Sequence, residues 1–453
     1  MIARLTGDRV LAGLGLAAAI ATWTRLAAWP IHLGSGGEWA LDGPSAFYFL
    51  ALSVAVASGA LLAWAPGADT DAGRGLVLAA LAGGAWGAAA AVLDFGIAAL
   101  LWSAGWILAA AAVGQGGGPE RLEAAVKTQG LGAAAGLALL LAAALLVGLA
   151  GTTHVLEAGS LLGTRGDSEV ASLTTMRILL AGLALAGAWV PFHYWAPDGL
   201  GSATKPAALV LAVAAPLAAS LALARIVFAF EPAFAAMAVN WRGGIFAVSF
   251  LTAAVAGSVA LVQKDAARLT AYLTVAQSAE ILPSLCGHPG DAGPWVTAAA
   301  VHAISVIPLW LTLGAWHAAG RPTDFDRLQG QGRSHPVTAI VWLAAMAFAA
   351  GFPGSARFVW RPALAAIGGD PVSWTVCLSI AALLPWAATA RLARVLFLEG
   401  WEPDAPRPVS AALRLQQAWA WALCATALVL AAWLTTRGAQ EIGAAWGALL
   451  PGG

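Results

Sequence analysis

The chain is 453 residues long, 60% hydrophobic and only 10% charged, with a mean hydropathy of +0.79. That leaves too little polar surface to cover water-soluble domains, so the composition defines a polytopic membrane protein. The 23 basic and 23 acidic residues cancel, and bulk electrostatics therefore implies neither nucleic acid nor an anionic lipid surface as a partner.

A spanning helix needs roughly 20 mostly apolar residues, because hydrocarbon satisfies no backbone hydrogen bond. By that criterion the fold is all-α with about 13–14 transmembrane helices. Their cores fall at 10–29, 46–65, 75–92, 96–113, 128–149, 171–189, 207–230, 244–262, 269–285, 296–315, 338–351, 373–396 and 411–434, with 443–450 too short to span and expected at the interface. Residues 1–9 carry Arg4 and Arg9 ahead of a long apolar run without a small-residue cleavage site, which predicts a first anchor rather than a signal peptide. The 22 tryptophans read as interfacial belts, and abundant glycine and alanine as close helix contacts in lipid. Cys286, Cys377 and Cys424 form no CxxC pair and read as small hydrophobes, so no metal or cofactor is expected.

In chain order, Asp42 and Gly43 make a polar turn before an aromatic-led helix, and Asp94 marks a tight turn between two spans. After Pro119, Glu123 and Lys127 stand four apart with the acid first, the order of a solvated helix pair. Residues 151–170, with His154, Glu157, Arg165, Asp167 and Glu169, read as a polar loop outside the membrane. The next helix meets Gly187, Trp189 and Pro191, and a proline there bends the span against protein or a wet cavity. His193 follows, then a loop over 197–206 with Asp198 and Lys205, and a helix ending at Arg225. Gln263, Lys264, Asp265 and Arg268 form a charged surface hinge.

Two polar residues stand inside later apolar segments. Glu280 lies about three turns into its helix with Gln277 one turn earlier on the same face, so it must be protonated, paired or near water. His302 precedes Pro308 in its helix and is either a proton relay or a histidine satisfied by a helix carbonyl. The stretch Gly351–Gly354 then repeats the first interruption around Pro353, with Arg357 and Arg361 behind it, and the 373–396 span ends at Arg391 and Arg394 with Glu399 nearby. Paired interruptions in two halves of a polytopic chain point to inverted repeats with a site where the broken helices meet.

At these residues the chain resembles the antiporter-like membrane subunits of respiratory complex I and of multisubunit cation/proton antiporters. The block Pro191–Phe192–His193–Tyr194–Trp195–Ala196–Pro197–Asp198, followed by a helix and Arg225, is similar to the family's PFHxWxPD pattern. The hinge Gln263–Lys264–Asp265 with Arg268, Ala271 and Tyr272 also fits, as do 122–127 and the Gly351–Phe352–Pro353 break. The resemblance runs from about Leu41 to Arg361. It implies one integral membrane domain over 1–453, an antiporter-like core over about 74–400, N-terminal helices over 9–66 and a C-terminal helix over 410–435 with an interfacial tail.

The resemblance further implies a lateral proton route built from a buried glutamate and a series of lysines or histidines. This sequence departs from it at Ala186 and Pro216, where lysines are expected, and near Ser103 or Ala104, where the glutamate is expected. Arg361 keeps the last charge, but arginine holds its proton at physiological pH and is a poor relay. Glu280, His302, His193, Gln277 and Arg361 remain as buried polar candidates for a rerouted path. The implied role is a membrane-arm subunit beside other membrane-arm subunits, in the lipid bilayer of a bacterial inner membrane, with the scaffold kept and the pump lost or rerouted. The alternative is a membrane partner in an inorganic-carbon uptake or cation/proton antiporter complex. No phosphate loop, dinucleotide fingerprint or nucleophile elbow gives the chain a catalytic site of its own.

Overall fold

A computed structural model describes residues 43–400, apart from 66–67, 70, 165–168, 237–239, 288–292 and 368–370, and a few positions over 414–425. The expected segments at 10–29 and 443–450 and most of 411–434, together with Asp42, Arg165, Asp167 and Cys424, lie outside the described residues. The regular structure is helical throughout: α1 Gly43–Ala63, α2 Ala72–Ala91, α3 Phe95–Val113, α4 Pro119–Ala150, α5 Val155–Thr164, α6 Glu169–Ala186, α7 Trp195–Ser202, α8 Lys205–Ala236, α9 Trp241–Val262, α10 Ala266–Ser278, α11 Gly293–Ala318, α12 Phe325–Leu328, α13 Gln331–Ser334, α14 Pro336–Ala350, α15 Ala356–Ile367 and α16 Pro371–Phe397. Among the described residues eight helices are long and apolar enough to cross a membrane, and α6 and α14 are shorter apolar ones.

Local chemistry sets the ends. The Asp94 side chain accepts the Ile97 N–H at 2.9 Å and so caps α3, as its turn position requires. Pro119 opens α4 where no intrahelical N–H is needed, and Gly151 closes it with φ of 78°. At 32 residues α4 is about 48 Å long, so its first turns project beyond the hydrocarbon. There Lys127 pairs with Glu123 at 2.7 Å, the solvated pair read from the sequence.

Three expectations are corrected. The segment 151–170 is not simply a loop: Val155, Ala158 and Leu162 share one buried face, and that face folds it into α5 against α8. The contact is so close that a Cβ on Gly159 would lie 2.1 Å from the Ala229 carbonyl. Residues 197–206 likewise hold α7, because Pro197 sits in its first turn, where proline is tolerated. The span expected at 269–285 is α-helical only to Ser278 and continues as a 3₁₀ turn over Ala279–Cys286. Pro283 has no N–H for the carbonyl four residues back, and the Ala279 carbonyl accepts the Ser249 hydroxyl instead, at 2.8 Å.

The hub is α8 with α11, whose membrane-length windows are 94% and 89% buried against 39–61% for the other spans. The outer helices therefore face lipid and the hub carries the interior. Both hub helices contain a mid-helix proline, Pro216 and Pro308.

Candidate functional site

The first broken helix is α6. It stops at Ala186, and the chain turns through Ala188 at φ of 58°, a costly value for a residue with a Cβ. The turn is held by Trp195 Nε1, which donates to the Leu185 carbonyl at 2.9 Å, and by the Val190 N–H, which donates to Thr252 Oγ1 at 3.0 Å. Phe192 follows with its N–H on the Trp189 carbonyl. His193 is buried, 4.5 Å from the Tyr194 ring centroid, with Nδ1 lacking a partner. Pro197 lies in the buried start of α7.

Motif residues far apart in sequence meet next to this break. Asp198 accepts Lys127 Nζ at 2.9 Å on one oxygen and Arg268 Nη2 at 2.9 Å on the other. That joins α4, α7 and α10. Asp265 caps α10 through the N–H groups of Ala267 and Arg268 and accepts the Thr323 hydroxyl at 2.6 Å. Lys264 is exposed. Arg225 donates to Ser45 Oγ at 2.7 Å and to the Ala90 carbonyl, tying α8 to α1 and α2. At the Asp198 end of the bundle, about 30 Å along α8 from Arg225, lies a polar cavity of about 620 Å³, lined among others by Asp198, Lys205, Asp265, Arg268 and His317. Beside it Asp69 takes Arg121 and His317, each at 3.1 Å. Burial raises the Asp69 carboxyl, but the His317 hydrogen bond and the charges of His317, Arg121 and Lys205 outweigh it and hold the group below the ordinary carboxylate range.

The positions where the resemblance expects titratable groups are apolar in their surroundings. Ser103 is half-buried and spends its hydroxyl on the Ala99 carbonyl. It stands between Trp102 and Trp106, which form edge-to-face contacts with Trp86 at 6.1 and 5.2 Å, and Trp106 meets Trp195 at 4.9 Å. Ala186 is buried. Pro216 lines a cavity of only about 10 Å³ with Ala188, Ala212 and Trp195, at the lower bound for a single water. The two hydroxyls on its wall, Thr274 and Ser278, already donate to the Thr270 and Val275 carbonyls.

The second break holds charge instead. Gly351 ends α14 at φ of 75°, and Arg357 and Arg361 stand four apart on α15, on one face. Arg357 donates through Nε to Glu280 Oε2 at 3.1 Å, with its Nη2 2.6 Å from Oε1. Arg361 donates Nε and Nη2 to Oε1 at 3.1 and 3.0 Å. Their remaining N–H groups reach the Ala349, Ala350 and Gly351 carbonyls, which the break leaves without helical partners. Those carbonyls are the negative end of the α14 dipole, so they balance the second arginine charge. Glu280 is thus paired, one of the three outcomes its sequence position required.

His302 is buried, with Nε2 3.2 Å from the Ala212 carbonyl. That carbonyl is free because Pro216, four residues on, has no N–H to offer it. A carbonyl only accepts, so Nε2 carries the proton and Nδ1 keeps its lone pair. Gln277 is buried with neither amide atom partnered. Sequence reasoning missed Arg357 as the main partner of Glu280, although its spacing from Arg361 was visible, and it missed the pairing of Asp69 with His317.

Two broken helices around a buried hub, one packed among apolar side chains and the other charged, define a polytopic membrane protein of discontinuous-helix architecture. The chain belongs to the family described as NADH:quinone oxidoreductase/Mrp antiporter, transmembrane, whose model matches residues 102–364. It is 29% identical over 299 residues to NADH-quinone oxidoreductase subunit N of Parafrankia sp. (strain EAN1pec), covering 63% of this chain and 54% of that protein. It is 34% identical over 248 residues to the subunit N of Salinispora tropica, covering 51% and 47%. The matched region thus spans about half the length of these relatives. The fold resembles a chain in the Mrp complex from Dietzia sp. DQ12-45-1b, with a TM-score of 0.79 at 18% identity over 98% of this chain and 92% of that one. It also resembles a chain of respiratory complex I from Thermus thermophilus, with a TM-score of 0.74 at 20% identity over 99% of each.

Proposed function

We propose that the protein is an antiporter-like membrane-arm subunit of a complex I-like or related ion-translocating assembly in a bacterial inner membrane, held among other membrane-arm subunits, and that it serves structure and coupling rather than pumping. Family membership and the subunit N relatives support the assembly role. The observation that carries the loss of pumping is the apolar packing at the expected lysine and glutamate positions of the first half. Where the resemblance expects a lysine and glutamate that exchange a proton, the chain holds Ala186, Pro216 and a tryptophan cluster around a space of about 10 Å³. A proton cannot cross such a region without water or titratable groups. The charged break does not substitute for it, because Arg361 supplies field but no exchangeable proton.

The test is purification from the native membrane in gentle detergent, with identification of every protein that comes along. Core subunits of a redox complex with iron–sulfur clusters are the expected result, and a large soluble zinc protein as the sole companion would move the chain to inorganic-carbon uptake. Ala186→Lys with Ser103→Glu is expected to leave assembly intact. Proton transport by the unmodified complex that depended on Glu280 and His302 would refute the non-pumping part.

A further inference from the structure

Arg177 stands exposed on the outer surface of α6, in a helix that is otherwise apolar from Val170 to Ala186. Among the described residues no hydrogen bond or ion pair reaches it. Other exposed charges on the helices lie near a membrane face and are paired, Lys127 with Glu123 and Asp198, Arg394 with Glu399. The depth of Arg177 follows from its neighbour α4. A Cβ on Gly182, five residues further on, would lie 3.1 Å from the Leu139 side chain and 3.3 Å from the Ala135 carbonyl oxygen. The two helices run antiparallel, since Asp198, beyond the end of α6, meets Lys127 near the start of α4. Arg177 is therefore level with about Ala142 and about 12 Å short of the end of α4. Its side chain leans towards that nearer face, but an extended arginine covers only about half of the distance. A charge left at this depth is costly unless it is paired.

The residues in line with Arg177 are those of a helix contact. Val170, Thr174, Arg177, Ala181 and Ala184 recur at alternating intervals of four and three, the spacing of a seam between two helices. Val170 is 80% exposed, Thr174 is exposed, and both alanines are half-buried. The line carries no leucine, isoleucine or aromatic ring. The outer face of α4 differs, with Leu137, Leu140 and Leu141 all exposed. Small and hydroxyl-bearing residues let a second backbone approach closely in lipid, where no hydrophobic drive brings helices together.

We propose that this line is the docking seam for one transmembrane helix of a neighbouring subunit, which sets an aspartate or glutamate against Arg177. The inference rests on the assembly role proposed above. The depth favours a carboxylate on a span over a lipid phosphate, because the phosphates lie at the membrane face and the guanidinium stops short of it. A guanidinium fork also matches a carboxylate with two parallel hydrogen bonds. Seam spacing of this kind goes with a shallow crossing of about 20°, so the docked helix follows α6 along its length. Because α6 leads into the turn at Ala188, a helix clamped on its outer face fixes the first break against the neighbouring subunit. That is a coupling contact that needs no proton.

The test places a diazirine amino acid of leucine size at Val170, at Thr174 and, as a control off the seam, at Leu137, each in the full chain in its native membrane. After illumination the complex is purified in gentle detergent and the adducts are mapped by mass spectrometry. The expected result is that both seam positions label one transmembrane peptide of another subunit, with an acidic residue within a turn of the labelled sites, while Leu137 does not label that peptide. Arg177→Glu should then lower the retained amount of that subunit at least tenfold, and replacing the mapped acid by arginine in the same complex should restore it. Equal labelling of the peptide from Leu137 overturns the seam. Seam adducts to lipid alone, or to this chain's own residues, in a complex that keeps its companions overturn the docking and leave the assembly role standing, whereas a chain purified with no companion overturns both. Full retention of the subunit with Arg177→Glu overturns the charge pair. The labelling result stands even if Arg177→Glu fails to fold.

Discussion

Arg357 grips Glu280 at two points, Nε on Oε2 at 3.1 Å and Nη2 on Oε1 at 2.6 Å, and so ties the charged break to the 3₁₀ turn that follows α10. Removing the one acid of this cluster leaves two buried guanidiniums facing each other. Glu280→Gln should therefore destabilise the chain by about 3–5 kcal/mol, the usual cost of breaking a buried pair from one side. Arg357→Gln should cost less, because Arg361 still neutralises Glu280. Thermal unfolding of the purified chain in detergent measures both, and equal losses would mean that the two arginines are not sharing one acid.

A glycine makes room for the cluster. A Cβ on Gly351 would lie 2.4 Å from Arg361 Nη2 and 2.8 Å from its Cζ, and the residue sits at a positive φ. Gly351→Ala should destabilise the chain by about 1 kcal/mol or more from the backbone alone, and it should also push Arg361 off Glu280. The displacement has its own signature: in the Gly351→Ala background, the further change Arg361→Gln should cost less than it does in the unmodified chain. Equal costs in the two backgrounds would show that the guanidinium had not moved.

Much of this fold was legible in the sequence because lipid constrains it so tightly. Span length, the two interruptions at Pro191 and Pro353 and the isolation of Glu280 in an apolar run all follow from the cost of unsatisfied polar groups in hydrocarbon. In the structure the missing N–H groups of Pro216 and Pro283 leave the Ala212 and Ala279 carbonyls without helical partners. What local pattern could not show was who takes them. His302 reaches Ala212, and Ser249 reaches Ala279, from helices distant in the chain. The pairing of Arg357 with Glu280 was hidden for the same reason, and so was α5, whose ten residues are too short and mixed to stand out within a polar stretch.

Asp69 gives a pH dependence of known sign. Its carboxyl is held below the ordinary carboxylate range in the folded chain, so the folded state binds that proton less readily than the unfolded chain does. The stabilisation is complete above the ordinary carboxylate value of about 3.9 and is lost as pH falls through the depressed folded value. The advantage of the unmodified chain over Asp69→Asn should shrink as pH falls below about 4. Denaturation midpoints of the two proteins across this range provide the check. A gap that closed well above pH 4 would mean that a different group governs it.

Two glycines seat the tryptophan cluster in different ways, and a pair of mutational cycles separates them. A Cβ on Gly105 would lie 2.4 Å from Trp86 Cδ1 and Nε1, atoms of the ring alone. A Cβ on Gly132 would lie 2.5 Å from Trp106 Cγ and 2.7 Å from Trp106 Cβ, next to the backbone of α3. Each change to alanine should destabilise the chain through overpacking, by about 1–3 kcal/mol. Truncating the ring removes the first clash but not the second, since alanine at 106 still carries its Cβ. Gly105→Ala should therefore cost much less in a Trp86→Ala background than in the unmodified chain, whereas Gly132→Ala should cost nearly the same with Trp106→Ala as without it. Unfolding midpoints of the six variants give both coupling energies. A strong rescue at Gly132 would show that α3 and α4 are held apart by the ring rather than by contact between their backbones, and the cluster would then be a loose filling instead of a tight seal.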